Sequence, residues 1–544
     1  MADIALAFVW HQHQPYYPDD VAGTNPMPWV RLHGVKDYFG MAALLREFPE
    51  VRCTINLTPC LLKQIVDYTN HGATDEFLRA DRIPAADLSA TEAEYLVNTH
   101  FLAHQQHMIG PHPRYAELLQ RRGVGASCDA KALHRFDAAD LRDLQVWFNL
   151  IWIHPLLFEL DANLRELRNK GTNFTEEEKN WLLDRHIEIL SEIIPLHRAL
   201  QDTGQVELTT TPYYHPILPL LLDKKFALEA MPHARLPRAT EGYPEDAEIH
   251  IRRAIEQHAR LFGRAPGGMW PAEGSVCQSM LPLLHRHGIR WIATDEGVLT
   301  ASSPGAAERD THGVLRRPAE LYRPYRIGEQ PHELSIVFRD HMFSDRIGFD
   351  YQRQEPTAAA QDFVDRVRTV GDSINGTETV LVSVILDGEN CWEHYPGNGV
   401  AFRRALFDLC RRTPGIRTVS VGRFLEDHPA VASLPHLAAG SWINHNFRIW
   451  IGHEEDNTAW DLLHQAREFL RRSEAAKSDD QLRRAWEEIH IAEGSDWFWW
   501  YGDDHTCPQV HVFDDLFRRH LRNVYHILGE SPSAELSRPI KRSD

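Results

Sequence analysis

The sequence predicts an α/β fold, an incomplete parallel barrel of about seven strands with helical insertions, followed by a C-terminal helical bundle. Three observations predict it. Apolar, β-branched runs stop abruptly, and the next residues are His, Glu, Asp or Trp. Helical patterns separate many of these runs, the layout of parallel strands whose functional residues sit at their carboxyl ends. Beyond about residue 428 strand signals nearly vanish and helical periodicity takes over. An open doubly wound sheet is the alternative; no glycine-rich phosphate loop follows the first run, which counts against its nucleotide-binding form.

Ile4 to Trp10 is continuously apolar, as a strand buried on both faces is, and ends in His11-Gln12-His13-Gln14-Pro15. Arg52 to Leu57 is a second strand. Residues 75–203 read as a helical insertion, with a capping box at Thr175-Glu176-Glu177-Glu178 and a helical period through Leu183, Ile187, Leu190 and Ile194. Strands return at Val206 to Thr211, at Gly267 to Trp270, at Ile289 to Thr294 before Asp295-Glu296, at Leu334 to Phe338 before Arg339-Asp340, and at Val380 to Leu386 before Asp387; Ile416 to Val421 is one more. Ala247 to Phe262 reads as an amphipathic helix. Asp456 to Arg472, Asp479 to His490 and Val510 to Leu528 are the C-terminal helices, the second opened by a capping box at Ser478 to Gln481. The expected division is a catalytic unit over 1–428 and a C-terminal helical unit over 429–544 that contributes to the substrate cleft.

Composition narrows the function. A formal charge of −19 argues against nucleic acid or an anionic membrane surface as partner. Fifteen Trp residues, several in turn-like segments, suit the flat faces of sugars, although about half would serve the core. Seven Cys without a CxxC pair fit neither a disulfide framework nor a zinc knuckle and point to a reducing compartment. The amino-terminal residues lack a basic segment and cleavage site, and no apolar run reaches membrane-spanning length, so a cytoplasmic location is expected.

Breaking a glycosidic bond needs two carboxyl groups on opposite sides of the anomeric carbon. Glu273 is the first candidate: it follows Trp270 and lies among small residues that let a ligand approach. The competing reading is a helix N-terminal Glu that complements the dipole. Asp387 ends the most apolar strand, where burial and an ionised Glu273 would raise its pKa into the range of a proton donor. It can instead cap the turn with Gly388, and Glu389 competes in the same turn. His11 and His13, two apart in extended chain, point the same way. They can bind sugar hydroxyls, ligate a metal or serve a structural network.

Five ordered blocks resemble glycoside hydrolase family 57, and the likeness covers most of the chain: His11-Gln12-His13-Gln14-Pro15; Gly204-Gln205-Val206-Glu207 running on to Tyr213-Tyr214-His215-Pro216; Trp270-Pro271-Ala272-Glu273; Leu386-Asp387-Gly388-Glu389-Asn390-Cys391-Trp392-Glu393; and Ala492 to Asp504. The resemblance implies a (β/α)7 barrel and a retaining mechanism, with Glu273 as nucleophile and Asp387 as general acid/base. It places His11, His13, Glu207 and Trp270 around the sugar at the cleaved bond, with Trp392 and the Trp497–Trp500 cluster shaping the cleft. It implies no metal and no cofactor. Phe338 to Phe349 is similar to the α-amylase and amylopullulanase branch; there Asp340 and Asp345 can bind substrate, or pair with Arg339 and Arg346, the reading preferred for Asp345. Pro271 and Gly274 depart from the small or hydroxyl residues expected in the third block. The expected activity is α-amylase-like hydrolysis of α-1,4 bonds, with α-1,6 bonds as a further target, in an α-glucan such as starch or glycogen, or in a maltooligosaccharide. A 4-α-glucanotransferase is the alternative. A metal-dependent deacetylase or mannosidase-like hydrolase and a silent glucan-binding protein are further rivals.

Overall fold

A computed structural model describes residues 2–123, 133–311, 313–374 and 379–542. Ten strands form one sheet: β1 (Ile4–Gln12), β2 (Cys53–Leu57), β3 (Val206–Thr209), β4 (Gly268–Met269), β5 (Trp291–Asp295), β6 (Tyr325–Ile327), β7 (Leu334–Arg339), β8 (Val380–Asp387), β9 (Ile416–Thr418) and β10 (Ala432–Ser433). Seven of them run parallel in the order β3-β2-β1-β8-β7-β5-β4. A parallel bridge between Thr210 and Met269 brings the two ends together, so the sheet closes on itself as a seven-stranded barrel.

Three short strands were not foreseen as barrel accessories. β9, read as a further strand of the barrel, flanks the first residues of β1. β6 lies antiparallel against β7 and carries β10 at its other edge, so both are peripheral.

Side-chain alternation sorts each strand into an inner and an outer face. Ile4, Leu6, Phe8 and Trp10 join the large core between barrel and helices, whereas Ala5, Ala7 and Val9 join a smaller cluster with Trp270, Trp291, Ala293, Val337, Leu381 and Ile385. That smaller cluster fills the barrel. Continuing its period by one step puts His11 on β1, Asp295 on β5, Arg339 on β7 and Asp387 on β8 at the barrel's carboxyl end. The strands read as continuous apolar runs because both faces are covered.

Between β2 and β3 lies the helical insertion, whose longest member is the 27-residue helix Glu176–Asp202 with its capping box formed between Thr175 and Glu178. After β10 the principal elements are the helices Glu454–Ser473, Asp479–Ala492 and Val510–Ile527, and the second has its Ser478–Gln481 capping box. Among the described residues six cysteines are free, and Cys128 lies outside them. No described helix is long and apolar enough to cross a membrane.

Candidate active site

The carboxyl end of the barrel opens into a cleft of about 1160 Å³, above the ~300–1,000 Å³ usual for small-ligand sites. Glu273 and Asp387 both line it, with His11, His13, Trp442 and Asp496.

Strand register sets the first contacts. His11 lies opposite Asp387 on β8 and opposite Asn56 on β2. Its Nδ1 is 2.6 Å from Asn56 Oδ1, which also accepts from Thr211 Oγ1 at 2.9 Å. Burial, then the neighbouring His13, push the His11 pKa down to about 3, so this ring is neutral.

His13 is the opposite case. Its Nε2 is 2.7 Å from Asp496 Oδ1 and its Nδ1 is 3.1 Å from Thr58 Oγ1. Burial disfavours the cation, but Asp496 outweighs it and holds the His13 pKa well above the usual imidazole range. His215, in the left-handed region at φ 61°, stacks on His13 with ring centres 3.9 Å apart and planes 18° from parallel. Burial, then His13, keep His215 neutral. The lone pairs of stacked rings run side by side and do not converge. His13, His215 and Asp496 offer ligand atoms within 4.8 Å of one another, but the stack does not suit an ion that must lie in the plane of both rings.

Glu273 stands on a turn after β4, at φ 58° and ψ 24°. A non-glycine residue in the left-handed region is held there by its surroundings. Here the indole of Trp442 donates to Glu273 Oε2 at 2.7 Å, and the Trp442 amide donates to the Glu273 carbonyl at 3.0 Å. Gly274 follows at φ 58°, where a Cβ would meet the Trp270 ring at 2.8 Å. Burial, then the negative Asp387, push the Glu273 pKa up to about 8, against the Trp442 hydrogen bond and the His13 cation. Asp387 is raised by burial and restrained by the Asn390 amide, which donates at 2.8 Å, and by His13 and Arg339. Burial, then Asp387, raise Glu389 well above its usual range; one of its oxygens is buried without a partner among the described residues.

Five residues expected at the sugar, at the cleft wall or as substrate ligands are held elsewhere. Glu207 is the second residue of β3 and faces the barrel's amino end, where it accepts from Trp291 Nε1 at 3.0 Å, the Gly422 amide at 2.7 Å and Thr54 Oγ1 at 3.1 Å. Trp270 is buried beneath the Glu273 turn, edge-on to Trp442 at 5.2 Å. Asp340 accepts from Tyr322 Oη at 2.6 Å, Arg309 Nη2 at 3.1 Å and the Phe343 amide at 2.8 Å, which uses up its carboxylate as a helix cap. Trp392 packs on Trp10 and under the Arg403 guanidinium, with its N–H on the Gly388 carbonyl. Trp497 is buried with its N–H on the Ile491 carbonyl. None of these five side chains lines the cleft. Trp499 does line it, as do Trp500, Arg339 and Asp345; Asp345 pairs with Arg339 at 2.6 Å and His341 at 2.7 Å.

Sequence reasoning quoted His215 and Asp496 within motifs without giving them a role, and it passed over Trp442. Gly440-Ser441-Trp442 carries no spacing signal, and only the fold brings it to Glu273.

The sequence model for glycosyl hydrolase family 57 matches residues 7–435. The chain belongs to glycosyl hydrolase family 57. Solved structures of the family share the fold. A family 57 branching enzyme from the archaeon Thermococcus kodakaraensis matches at TM-score 0.60 and 17% identity, over 96% of this chain and 90% of its own. An α-amylase from Thermotoga maritima matches at 0.57 and 14%, over 96% and 93%. A 4-α-glucanotransferase from Thermococcus litoralis matches at 0.51 and 13%, over 96% of this chain and 60% of its own. The chain is thus a family 57 glycoside-processing enzyme on the (β/α)7 barrel.

Proposed function

We propose that this family 57 enzyme cleaves α-1,4-glucosidic bonds with retention of configuration, with Glu273 as nucleophile and Asp387 as general acid/base. The observation that carries the reading is that the two carboxyl groups line one cleft and sense each other: the Asp387 charge is second only to burial in raising Glu273. Two coupled carboxyls titrate as a pair and hold a single proton over a wide pH range. A double displacement requires that one-proton state.

In the first step Glu273 attacks the anomeric carbon while Asp387 delivers the proton to the departing oxygen. In the second, Asp387 takes a proton from a water whose oxygen bonds to the anomeric carbon as the glycosyl–Glu273 bond breaks and releases the Glu273 carboxylate. In the free chain the electrostatics favour the proton on Glu273, so substrate must draw it to Asp387. The Trp442 N–H and the His13 imidazolium then face the carboxylate left at Glu273 and stabilise it. The allocation of roles follows the family motifs around each residue, and the carboxyl separation expected for retention is roughly 5–5.5 Å. α-Glucan as substrate draws on the named activities of the structural relatives and on the Trp29, Trp152, Trp499 and Trp500 side chains along the cleft.

A fluorinated glucosyl fluoride that stalls the intermediate tests the allocation. Mass spectrometry should find the label on Glu273; a label on Asp387 reverses the roles, and none on either ends the proposal. Azide should rescue Asp387→Ala on an activated donor. Transglycosylation is the second reading, supported by the named activities of two structural relatives, a branching enzyme and a 4-α-glucanotransferase. Maltoheptaose decides: products that are only shorter indicate hydrolysis, and longer products indicate transfer.

A further inference from the structure

Behind one wall of the cleft is a second cavity, of about 250 Å³. The wall is built from two π-helical segments, Gly34–Tyr38 and Gln105–Ile109, and from the turn that carries Glu393. Glu393 lines both spaces. Lys36 reaches the second cavity with its ammonium on Asp37 Oδ1 at 3.0 Å and Asn398 Oδ1 at 3.3 Å; Asp37 also holds His33, a cleft residue, at 2.8 Å.

One group there lacks a counter-charge. Arg168, in the last turn of the helix Ala162–Lys170, lays its guanidinium over the Phe158 ring at 4.2 Å and lines the cavity. Among the described residues no carboxylate pairs with it. Burial, then another cation, Arg165, lower its pKa. In a chain of net charge −19 an unpaired, half-buried arginine at a cavity is out of keeping with its surroundings. A guanidinium in that position favours a phosphate, which it can grip through two parallel N–H donors.

Bare phosphate would leave most of the space empty, since one water takes only ~30 Å³. Other walls include Trp147, tilted against His112 with ring centres 4.6 Å apart, with Leu150, Ile153 and Pro155, a lining that suits the carbon face of a ring. Away from Arg168 stand Glu393 and Asn398. A carboxylate there repels a second anion and accepts from hydroxyl groups.

We propose that this cavity is a binding site for a small sugar phosphate, with its phosphate on Arg168 and its hydroxyls on Glu393 and Asn398. Binding is measured directly, so the outcome is separate from which glucan the cleft cleaves. Thermal melts with glucose 6-phosphate, inorganic phosphate and glucose, on the wild type, Arg168→Met and Arg168→Lys, test it. Glucose 6-phosphate at a hundredfold excess over its Kd should raise the wild-type Tm by about 2–4 °C. Arg168→Met should abolish the response, Arg168→Lys should keep a weaker one, and neither should change the initial rate on maltooligosaccharides more than about twofold, because Arg168 lies outside the cleft. Equal shifts in wild type and Arg168→Met, a response to inorganic phosphate as large as that to glucose 6-phosphate, or no response to any probe would overturn the assignment.

Discussion

At the scale of single residues, Glu273 concentrates the cost of the site. The unfolded carboxyl ionises near 4.5 and the folded one near 8. Between those values the folded chain keeps a proton that the unfolded chain has lost, so stability falls as pH rises through this window and is level above it. Glu273→Gln removes the difference. It should abolish turnover and raise the Tm at pH 8 relative to wild type, by an amount worth at most about 4 kcal/mol, while the melts converge near pH 4. Trp442→Phe keeps the ring and loses the donor to Oε2. Since that hydrogen bond lowers the Glu273 pKa, the alkaline limb of kcat/KM should move up, and kcat should fall about 10²-fold. The two carboxyls were legible in the sequence because each sits in a distinctive local motif. Trp442 was not, because its role depends on a contact between segments 169 residues apart.

At the scale of elements, long buried strands announced themselves and short ones did not. β1 and β8 are apolar over most of their length and buried almost throughout, and their limits fall within a residue or two of the expected ones. β6 has three residues with an exposed one at its centre and reads as loop. The tryptophans show where sequence lost the thread: a Trp beside a motif looks alike whether its ring faces the cleft or the core. Trp392 and Trp499 make the contrast measurable. Trp392→Ala should cost about 3–5 kcal/mol in denaturant unfolding. Trp499→Ala, partly exposed and lining the cleft, should leave stability nearly unchanged and raise KM for long substrates. Asp496 stands on the short helix Ser495–Phe498, and Asp496→Asn deprives His13 of its counter-ion. The imidazolium should then titrate at lower pH; the carboxyl pair loses a cation that had held both pKa values down, which outweighs the smaller loss of the Asp496 charge that raises Glu273, and the alkaline limb of the pH–rate profile should shift upward.

At the scale of the molecule, the C-terminal helices are tied to the first loop of the chain. Asp19 is buried, accepts from the Val21 and Ala22 amides at 3.1 and 3.0 Å, and accepts from Asn523 at 2.9 Å, across 504 residues. Asp19→Ala strands those donors and should cost about 1–3 kcal/mol. Hydrogen exchange should quicken in Val510–Ile527 before it does in the barrel strands. Period and capping predicted these helices singly. Nothing in their periodicity said that they would close over residues 13–19, since long-range partners leave no mark on a local pattern.

The His13–Asp496 pair spans 483 residues. A ribosome therefore finishes every barrel strand, Glu273 and Asp387 well before it makes the group that charges His13. A nascent chain, or one cut short of residue 496, carries the proposed nucleophile without the electrostatic setting described above. On the proposed mechanism competence arrives with the last tenth of synthesis, and a copy that stops short of Asp496 should be inactive.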